Sequence, residues 1–252
     1  MPTAHLADRA VLRIGGPDAR DFLQELLTND VYGALPVYAG LLSAQGKTMF
    51  DMILHDGGEA LLIDVAATQA DALARRLGIY KLRRAVTVEP SDLKVFACWG
   101  EAGGETPDPR DPALGERWVA AEATTDASPD DYTMHRMALG VPDSSEMLDL
   151  LWLETNAGEL NGVSYTKGCY VGQENTARMH HRDKLRRRLM PVRTAATEGP
   201  VMAGERDAGD VRVQSGDLGI AYLRMEHAAT PLTRAGAPVE LMWPEWLPRD
   251  AG

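Results

Sequence analysis

The sequence predicts an α+β fold followed by a small all-β module, and three observations carry that prediction. Over the first 190 residues, strand and helix patterns are mixed without a strict strand–helix–strand repeat, which favours α+β over a doubly wound α/β fold. After residue 190, short apolar runs are separated by glycine-rich turns, a spacing typical of an all-β module. The composition agrees, because 44% of the residues are apolar and 25% are charged, as in ordinary globular domains.

The first 90 residues predict strands that alternate with two helices. Residues 10–14 form a short apolar strand pattern, and Gly16-Pro17-Asp18 then opens a helix with proline at its first position. Thr68-Gln69-Ala70-Asp71 resembles a capping box at the start of a second helix that ends near Tyr80. The other strands predicted in this part are 38–42, 48–55, 60–66 and 85–89, with a turn at 44–47.

The middle of the chain predicts two strands, at 94–99 and 118–122, on either side of an exposed loop. That loop, residues 100–117, contains four glycines, three prolines and several acids. Ser128-Pro129 opens a helix that ends near Gly140. Residues 143–161 give no clear pattern. Because short apolar runs separated by glycine-rich turns begin after Pro191, we divide the chain into two domains, residues 1–190 and 191–252.

Charge and cysteine content limit the classes of protein. The net charge of −11 argues against binding nucleic acid or an anionic membrane over the whole surface, although it allows a local basic patch. Two cysteines, Cys98 and Cys169, cannot make a disulfide framework or a four-cysteine metal or iron–sulfur site within one chain. Residues 1–16 show no targeting pattern. We therefore expect a soluble cytoplasmic protein with reduced thiols.

Two motifs that resemble known sites do not meet the requirements of those sites. Gly46-Lys47-Thr48 resembles the end of a phosphate-binding loop, but five residues instead of four separate Gly40 from Gly46, and a strand pattern follows instead of a helix. His180 and His181 are adjacent, so on a helix they point about 100° apart and make a poor chelating pair. No residue set in the sequence predicts a metal site of its own.

The segment 161–188 carries the chemical signal. Lys167-Gly168-Cys169-Tyr170 places a thiol beside a cation, and Gly172-Gln173-Glu174 predicts the start of a helix. A helix start and a neighbouring cation both make a thiol more reactive. Arg178 lies four residues after Glu174, so the two can pair on one helix face. The alternative is that Cys169 is a buried small apolar residue, the interpretation we adopt for Cys98 in its apolar strand.

This segment resembles a family signature. The pattern K-G-C-Y-x-G-Q-E-x-x-x-R, present here from Lys167 to Arg178, looks like that of the YgfZ-type folate-binding proteins, which are relatives of the glycine-cleavage T-protein, an aminomethyltransferase. The resemblance extends in order along nearly the whole chain. It includes LRIGGPDARDFLQELLTNDV, AQGKTMFDMIL, YKLRRAVTVE, RMALGVP and the C-terminal LGIAYLR.

The resemblance implies a T-protein-like folate-binding domain followed by a small C-terminal β-barrel. It implies a role in assembly or repair of iron–sulfur proteins, with indirect effects on tRNA thiolation, and cooperation with cluster carriers and client enzymes. Cys169 is the catalytic residue that it implies. A single cysteine suits one ligand of a cluster shared with a partner, or a redox-active thiol. The site-shaping residues implied are Lys167, Tyr170, Gln173, Glu174 and Arg178.

The resemblance also implies tetrahydrofolate or a derivative as cofactor. Asp51 falls on a strand aspartate that lies near the folate amines in the T-protein, and it should face away from its neighbours Phe50 and Met52. A second T-protein position, a glutamate that pairs with the pterin ring, is Ala138 here. Its loss removes a strong charge-assisted pair, which weakens the folate expectation unless another acid such as Glu154 substitutes.

Two other functions stay open. The first is aminomethyl transfer, favoured by Asp51 and opposed by Ala138. The second is RNA binding by the basic run 178–193, whose alternatives are a solvated face or a site for a polyglutamate folate tail. Residues 163–188 carry seven Lys/Arg and two Asp/Glu, hence +5, so the acidity of the chain lies elsewhere. An anionic partner would therefore bind beside Cys169.

Overall fold

The computed structural model describes residues 1–100, 106–181 and 185–249. Within them, a five-stranded sheet, a three-stranded sheet and a closed barrel are joined by four α-helices and short 3-10 turns. The mixed strands and helices of the first part and the all-β module at the end confirm the predicted α+β class. None of the described helices is long and apolar enough to cross a membrane.

The antiparallel five-stranded sheet has the order β3-β4-β5-β2-β6. Helices α1 (Ala19–Leu26) and α2 (Ala70–Lys81) supply apolar side chains to the core on one face. Phe50 and Met52 point into that core, so Asp51 between them lies on the opposite face, as predicted. The strands are β2 (Arg9–Gly15), β3 (Val37–Leu42), β4 (Thr48–Asp56), β5 (Leu61–Ala66) and β6 (Thr87–Ser91).

The three-stranded sheet has the order β1-β7-β8 and packs under helix α3 (Pro129–Ala138). Ser128 and Asp131 form a reciprocal capping box at the start of α3, which explains why the helix begins where the sequence predicts. The strands are β1 (Thr3–His5), β7 (Lys94–Cys98) and β8 (Glu116–Ala120).

The last part of the chain forms a closed barrel of order β10-β11-β12-β9-β14-β13, preceded by helix α4 (Gln173–His180). Its strands are β9 (Arg187–Arg193), β10 (Val201–Ala203), β11 (Arg206–Ser215), β12 (Leu218–Arg224), β13 (Leu232–Arg234) and β14 (Ala237–Leu241). Gly209 allows β11 to approach β12 closely, because a Cβ there would lie 2.0 Å from the carbonyl oxygen of Tyr222.

A shared core joins the barrel to the five-stranded sheet. Trp152, on a 3-10 turn at Trp152–Thr155, packs with Tyr38 of β3, Tyr170 and the barrel residue Ile220. The ring centroids of Tyr38 and Trp152 lie 5.5 Å apart. This core matters for function because it fixes Tyr170, and with it the segment around Cys169, between the two units.

Three local predictions were wrong. Pro17 is not the first residue of α1, because the helix begins at Ala19 after the N-cap Asp18. Thr68 does not cap α2: strand β5 runs straight into a 3-10 turn at Ala67–Gln69, and α2 follows without a side-chain cap. The loop 100–117 is not wholly exposed. Among its described residues, Asp108 and Arg110 are buried because their side chains form a two-pronged ion pair with hydrogen bonds of 3.0 and 2.7 Å. Residues 101–105 of that loop lie outside the described residues.

Candidate functional site

The segment that carries Cys169 is fixed against the turn between β3 and β4. Gly172 has a left-handed φ of 83°, and a Cβ there would lie 2.6 Å from the carbonyl oxygen of Ser43. The side-chain amide of Asn175 donates to the carbonyl of Gln45 at 3.0 Å. Gly46 approaches from the other side, since its own Cβ would meet Asn175 at 3.1 Å. The glycines therefore permit a close contact between two backbones.

Lys167 ties the other end of this segment to helix α1. Its ammonium donates to the carbonyl oxygens of Gln24, Leu27 and Asn29 at the helix C-terminus, the last two at 2.6 and 3.2 Å. It also lies 5.2 Å from the ring centroid of Tyr170. Burial lowers the pKa of Lys167 to about 8. Lys167 thus shapes the site by holding the loop, because its ammonium donates to backbone carbonyl groups of another segment.

Cys169 is exposed, whereas its neighbour Tyr170 is buried in the core shared with the barrel. The interpretation of Cys169 as a buried small residue is therefore wrong, and the same interpretation is confirmed for Cys98, which is buried in β7. Helix α4 begins at Gln173, as predicted, so the thiol precedes the helix by four residues. Cys169 is thus presented to solvent at the tip of an anchored loop.

The helix that follows does not form the expected ion pair. Glu174 and Arg178 are both exposed, and the Arg178 guanidinium instead donates to the side-chain oxygen of Asn175 at 2.9 Å. Asn175 lies three residues before Arg178 and competes on the same helix face. Gln173 is half-buried, and its backbone N–H donates to the carbonyl of Tyr170 at 3.3 Å. Within the part of the chain that the structure describes, Glu174 and Arg178 are thus both exposed, and Arg178 is held by Asn175 instead of Glu174.

Asp51 occupies a different environment. Its side chain is buried in the middle of β4, and its Oδ1 has no hydrogen-bond partner among the described residues. Burial and the nearby Asp143 carboxylate raise the pKa of Asp51 to about 6, against the opposite effect of Arg9 and Arg110. The groups that most affect the pKa of Asp51 are Asp143, Arg9, Arg110 and Ser144, all of which lie outside segment 161–188. These groups differ from those that anchor the Cys169 segment.

Sequence reasoning missed the buried ionic network around Asp51. Asp64 is fully buried and accepts hydrogen bonds of 2.7 Å from both Arg9 and Arg117. Although burial opposes ionisation, these two guanidinium groups hold the pKa of Asp64 well below its usual range. Arg9 continues the network to Asp143 at 2.9 Å. Single charged residues in strand patterns gave no signal, because only the fold brings them together.

The remaining predicted positions are also located. Ala138 is exposed at the end of α3, so its side chain lies on the surface. Glu154 accepts a hydrogen bond from the Tyr222 hydroxyl at 2.5 Å, so part of its acceptor capacity is already used. The ring of His180 stacks on Tyr165 with centroids 3.7 Å apart. Among the described residues, no group of three or more His, Cys, Asp and Glu is placed to hold a metal ion.

The basic run 178–193 divides into several environments. Arg188 is buried and bonded to Asn156 and Glu159, and Arg193 pairs with Asp217 at 2.7 Å. Arg182 and Lys184 lie outside the described residues. The run is therefore not one uniform solvated face, since Arg188 is buried whereas Arg193 is exposed in a surface ion pair.

Comparison with known proteins first defines the class. The fold is similar to that of the crystal structure of glycine cleavage system aminomethyltransferase T from Bartonella henselae, with a TM-score of 0.72. The match covers 98% of this chain and 86% of that chain at 13% identity, so it shows the fold alone. Residues 186–249 match the family described as CAF17, C-terminal beta-barrel domain. The chain is thus an aminomethyltransferase-like fold that ends in a barrel of this type.

Similar curated proteins then give the family. The chain is 35% identical to "Iron-sulfur cluster assembly factor IBA57, mitochondrial" of Homo sapiens, over 96% of this chain and 84% of the relative. It is 33% identical to the protein of that name from Mus musculus, over 98% and 85%. The chain therefore belongs to the IBA57 family of iron–sulfur cluster assembly factors.

These relatives correct two predictions. The YgfZ-type family is related, but the IBA57 family is the specific one. The cytoplasmic location is contradicted, because the relatives are named as mitochondrial. That prediction depended on the lack of a targeting pattern in residues 1–16, and such a lack does not specify a compartment.

Proposed function

We propose that this protein is an accessory factor in iron–sulfur cluster assembly, and that the Cys169 thiolate gives one ligand to a cluster held jointly with a partner protein. The observation that carries the proposal is the exposed Cys169 at the tip of a loop anchored by Lys167, Tyr170 and Gly172. The names of the relatives support the process. The proposed partners are cluster-assembly or carrier proteins and the client enzymes that they supply.

The need for a partner follows from ligand number. Clusters of the common types are held by four protein ligands, mostly cysteine thiolates. Cys98 is buried in β7, and the described residues contain no three-residue group that could hold a metal. The exposed thiol can therefore supply one ligand, and a partner must supply the rest. The cluster is cargo in this proposal.

A replacement experiment tests the role of the thiol. Cells that lack their own protein of this family receive the wild type, Cys169→Ala or Cys98→Ala, and cluster-dependent enzyme activities are measured at equal protein levels. We expect Cys98→Ala to restore activity and Cys169→Ala to fail. Full restoration of the cluster-dependent activities by Cys169→Ala would refute the proposal.

Spectroscopy separates a shared cluster from a redox-active thiol. A shared cluster predicts visible absorption from the purified protein only after iron, sulfide and a carrier protein are all present. A redox thiol predicts no such absorption and instead a mixed disulfide with the partner. Indirect effects on tRNA thiolation would follow from loss of cluster supply to the modifying enzymes. They should therefore appear in cells that carry Cys169→Ala, although the protein itself binds no RNA.

A second proposal is that tetrahydrofolate or a derivative binds near Asp51. The unpartnered Oδ1 of Asp51 is the acceptor that a folate amine requires, so this part of the structure fits. Ala138 does not fit, because its exposed methyl group cannot pair with a pterin ring. Asp51 would hold the amine, and no transfer of a one-carbon unit is expected, including glycine-cleavage activity with a lipoylated carrier.

Titration tests the folate proposal. Tetrahydrofolate is added to wild type, Asp51→Asn and, as a control on the exposed turn after β4, Glu59→Gln, while intrinsic fluorescence is measured. We expect weak saturable binding that only Asp51→Asn reduces. Lack of saturable binding to the wild type at millimolar ligand would remove this proposal and leave the role of Cys169 untouched.

A further inference from the structure

We infer that a groove between helix α4 and the barrel docks an acidic, partly apolar segment of a protein that works with this chain. The inference rests on the proposed function, because it adds the chemistry of the partner. Two adjoining hollows of about 710 and 390 Å³ form the groove. Both are lined by Glu154, Leu185 and Arg186, so they are continuous there.

The groove is basic, whereas the chain as a whole is acidic. Four arginines line it, and two glutamates are the acids among its described lining residues. Glu154 already accepts a hydrogen bond from Tyr222. Glu226 lies 3.7 Å from His227 and is itself exposed. The four arginines are Arg178, Arg186, Arg187 and Arg224. With a net charge of −11 for the chain, this concentration of positive charge identifies the groove as a local anion site.

Two of these arginines are placed where a bound anion would be favourable. Arg187 of β9 and Arg224 of β12 lie directly opposite each other in the antiparallel register. Like charges in opposite positions destabilise a sheet. Arg187 lies over the Tyr222 ring at 5.2 Å, whereas Arg224 lies 3.8 Å from Asp207. A carboxylate bound beside either guanidinium group would accept charge-assisted, two-pronged hydrogen bonds and offset the like charge of this pair.

The apolar lining distinguishes a peptide from RNA. Met179 and Met225 lie at the two ends of the groove and Leu185 between them. Methionine adapts its shape to apolar side chains and is common at binding surfaces for peptides. Proteins that bind single-stranded RNA commonly stack its bases on aromatic rings, and the described lining residues include none, which favours a peptide. A peptide segment with alternating acidic and apolar side chains would match both the arginines and the apolar side chains of the groove.

The position of the groove connects it to Cys169. Arg178 is on the last turn of α4, and Cys169 precedes the first residue of that helix by four positions. Eight residues of helix span about 12 Å. The groove and the Cys169 segment therefore adjoin opposite ends of one short helix, so a partner held in the groove lies near the segment that carries the thiol.

Fluorescence anisotropy with a defined probe tests the inference. The probe is a labelled peptide of alternating glutamate and leucine, and its control replaces every glutamate with glutamine. The double variant Arg186→Glu/Arg224→Glu should bind the acidic probe at least about tenfold more weakly than wild type, with binding that also falls as salt is added. Arg75→Glu makes the same kind of charge change at an exposed position of α2 and should bind as wild type does.

Three results would overturn the inference. They are equal binding of the acidic probe by wild type and the double variant, equal binding of the two peptides, and tighter binding of a uracil-rich RNA oligonucleotide than of the peptide. Thermal unfolding of each variant confirms that it is folded. Cys169→Ala should bind the probe normally, so loss of cluster supply and loss of docking are separate outcomes, and either can fail alone.

Discussion

The two glycines of the Cys169 segment provide a matched pair of substitutions. Gly172→Ala adds a Cβ at a left-handed φ of 83°, 2.6 Å from the Ser43 carbonyl oxygen. Gly168→Ala adds the same group where no heavy atom lies within 4 Å and where φ is not in the left-handed region. The sequence alone treats the two glycines alike. The structure predicts opposite results for them.

The magnitude follows from two costs. The left-handed conformation costs a non-glycine residue about 1–2 kcal/mol. Relieving a contact this short requires a shift of backbone, and overpacking of that kind costs about 1–3 kcal/mol. We therefore expect Gly172→Ala to lower the free energy of unfolding by about 2–5 kcal/mol. Gly168→Ala should change it by less than about 1 kcal/mol, because it mainly restricts the unfolded chain.

Guanidinium denaturation of both variants measures these free energies, and the replacement assay for cluster enzymes measures function. Gly172→Ala should also lose function at a temperature where it is still folded, because the shift moves the loop that presents Cys169. If the two variants had equal free energies of unfolding, whether both were destabilised or neither was, Gly172 would not be the residue whose close contact fixes the loop.

Three further results are expected. Asp64→Asn should cost about 3–5 kcal/mol in chemical denaturation, because it leaves two buried guanidinium groups without their carboxylate; the exposed Asp92→Asn should be neutral. The pKa of Asp51 is raised to about 6, so its contribution to the free energy of unfolding is complete below about pH 4 and is lost as pH rises through about 6. Asp51→Asn should remove this dependence of the free energy of unfolding on pH. Lys167→Met should speed hydrogen exchange at the C-terminal end of α1, because no ammonium then binds the carbonyl groups there. Since the pKa of Lys167 is about 8, wild type should exchange as fast as the variant only well above pH 8.

Local sequence patterns predicted most helices and strands, but they could not predict side-chain pairs between residues that are far apart in the sequence. The strand predicted at 48–55 is observed at Thr48–Asp56, and the helix predicted to start at Gly172-Gln173-Glu174 begins at Gln173. The pairing of Asp64 with Arg9 and Arg117 joins residues more than 50 positions apart, so no local pattern carries it. The pair Asp108–Arg110 is local, but the Tyr132 hydroxyl that bonds both side chains comes from helix α3, so no local pattern showed that this part of loop 100–117 is buried.

The site was only partly predictable for a related physical reason. The sequence placed a cation beside the thiol, since Lys167 and Cys169 are two residues apart. In the fold, the lysine side chain extends to the carbonyl groups at the end of α1, because those groups lack partners within the helix. Ion pairing of Glu174 with Arg178 failed similarly, since Asn175 competes for the same guanidinium.

The signature around Cys169 therefore consists largely of residues that hold its position. Lys167 fixes the loop to α1, Tyr170 buries its ring in the core shared with the barrel, and Gly172 admits the turn before β4. In the proposed function, three anchors around one exposed thiol suit a ligand shared between two proteins, because the second protein must find the sulfur atom at a fixed place. On that proposal, rigid presentation of Cys169 is the property that would link this fold to cluster assembly.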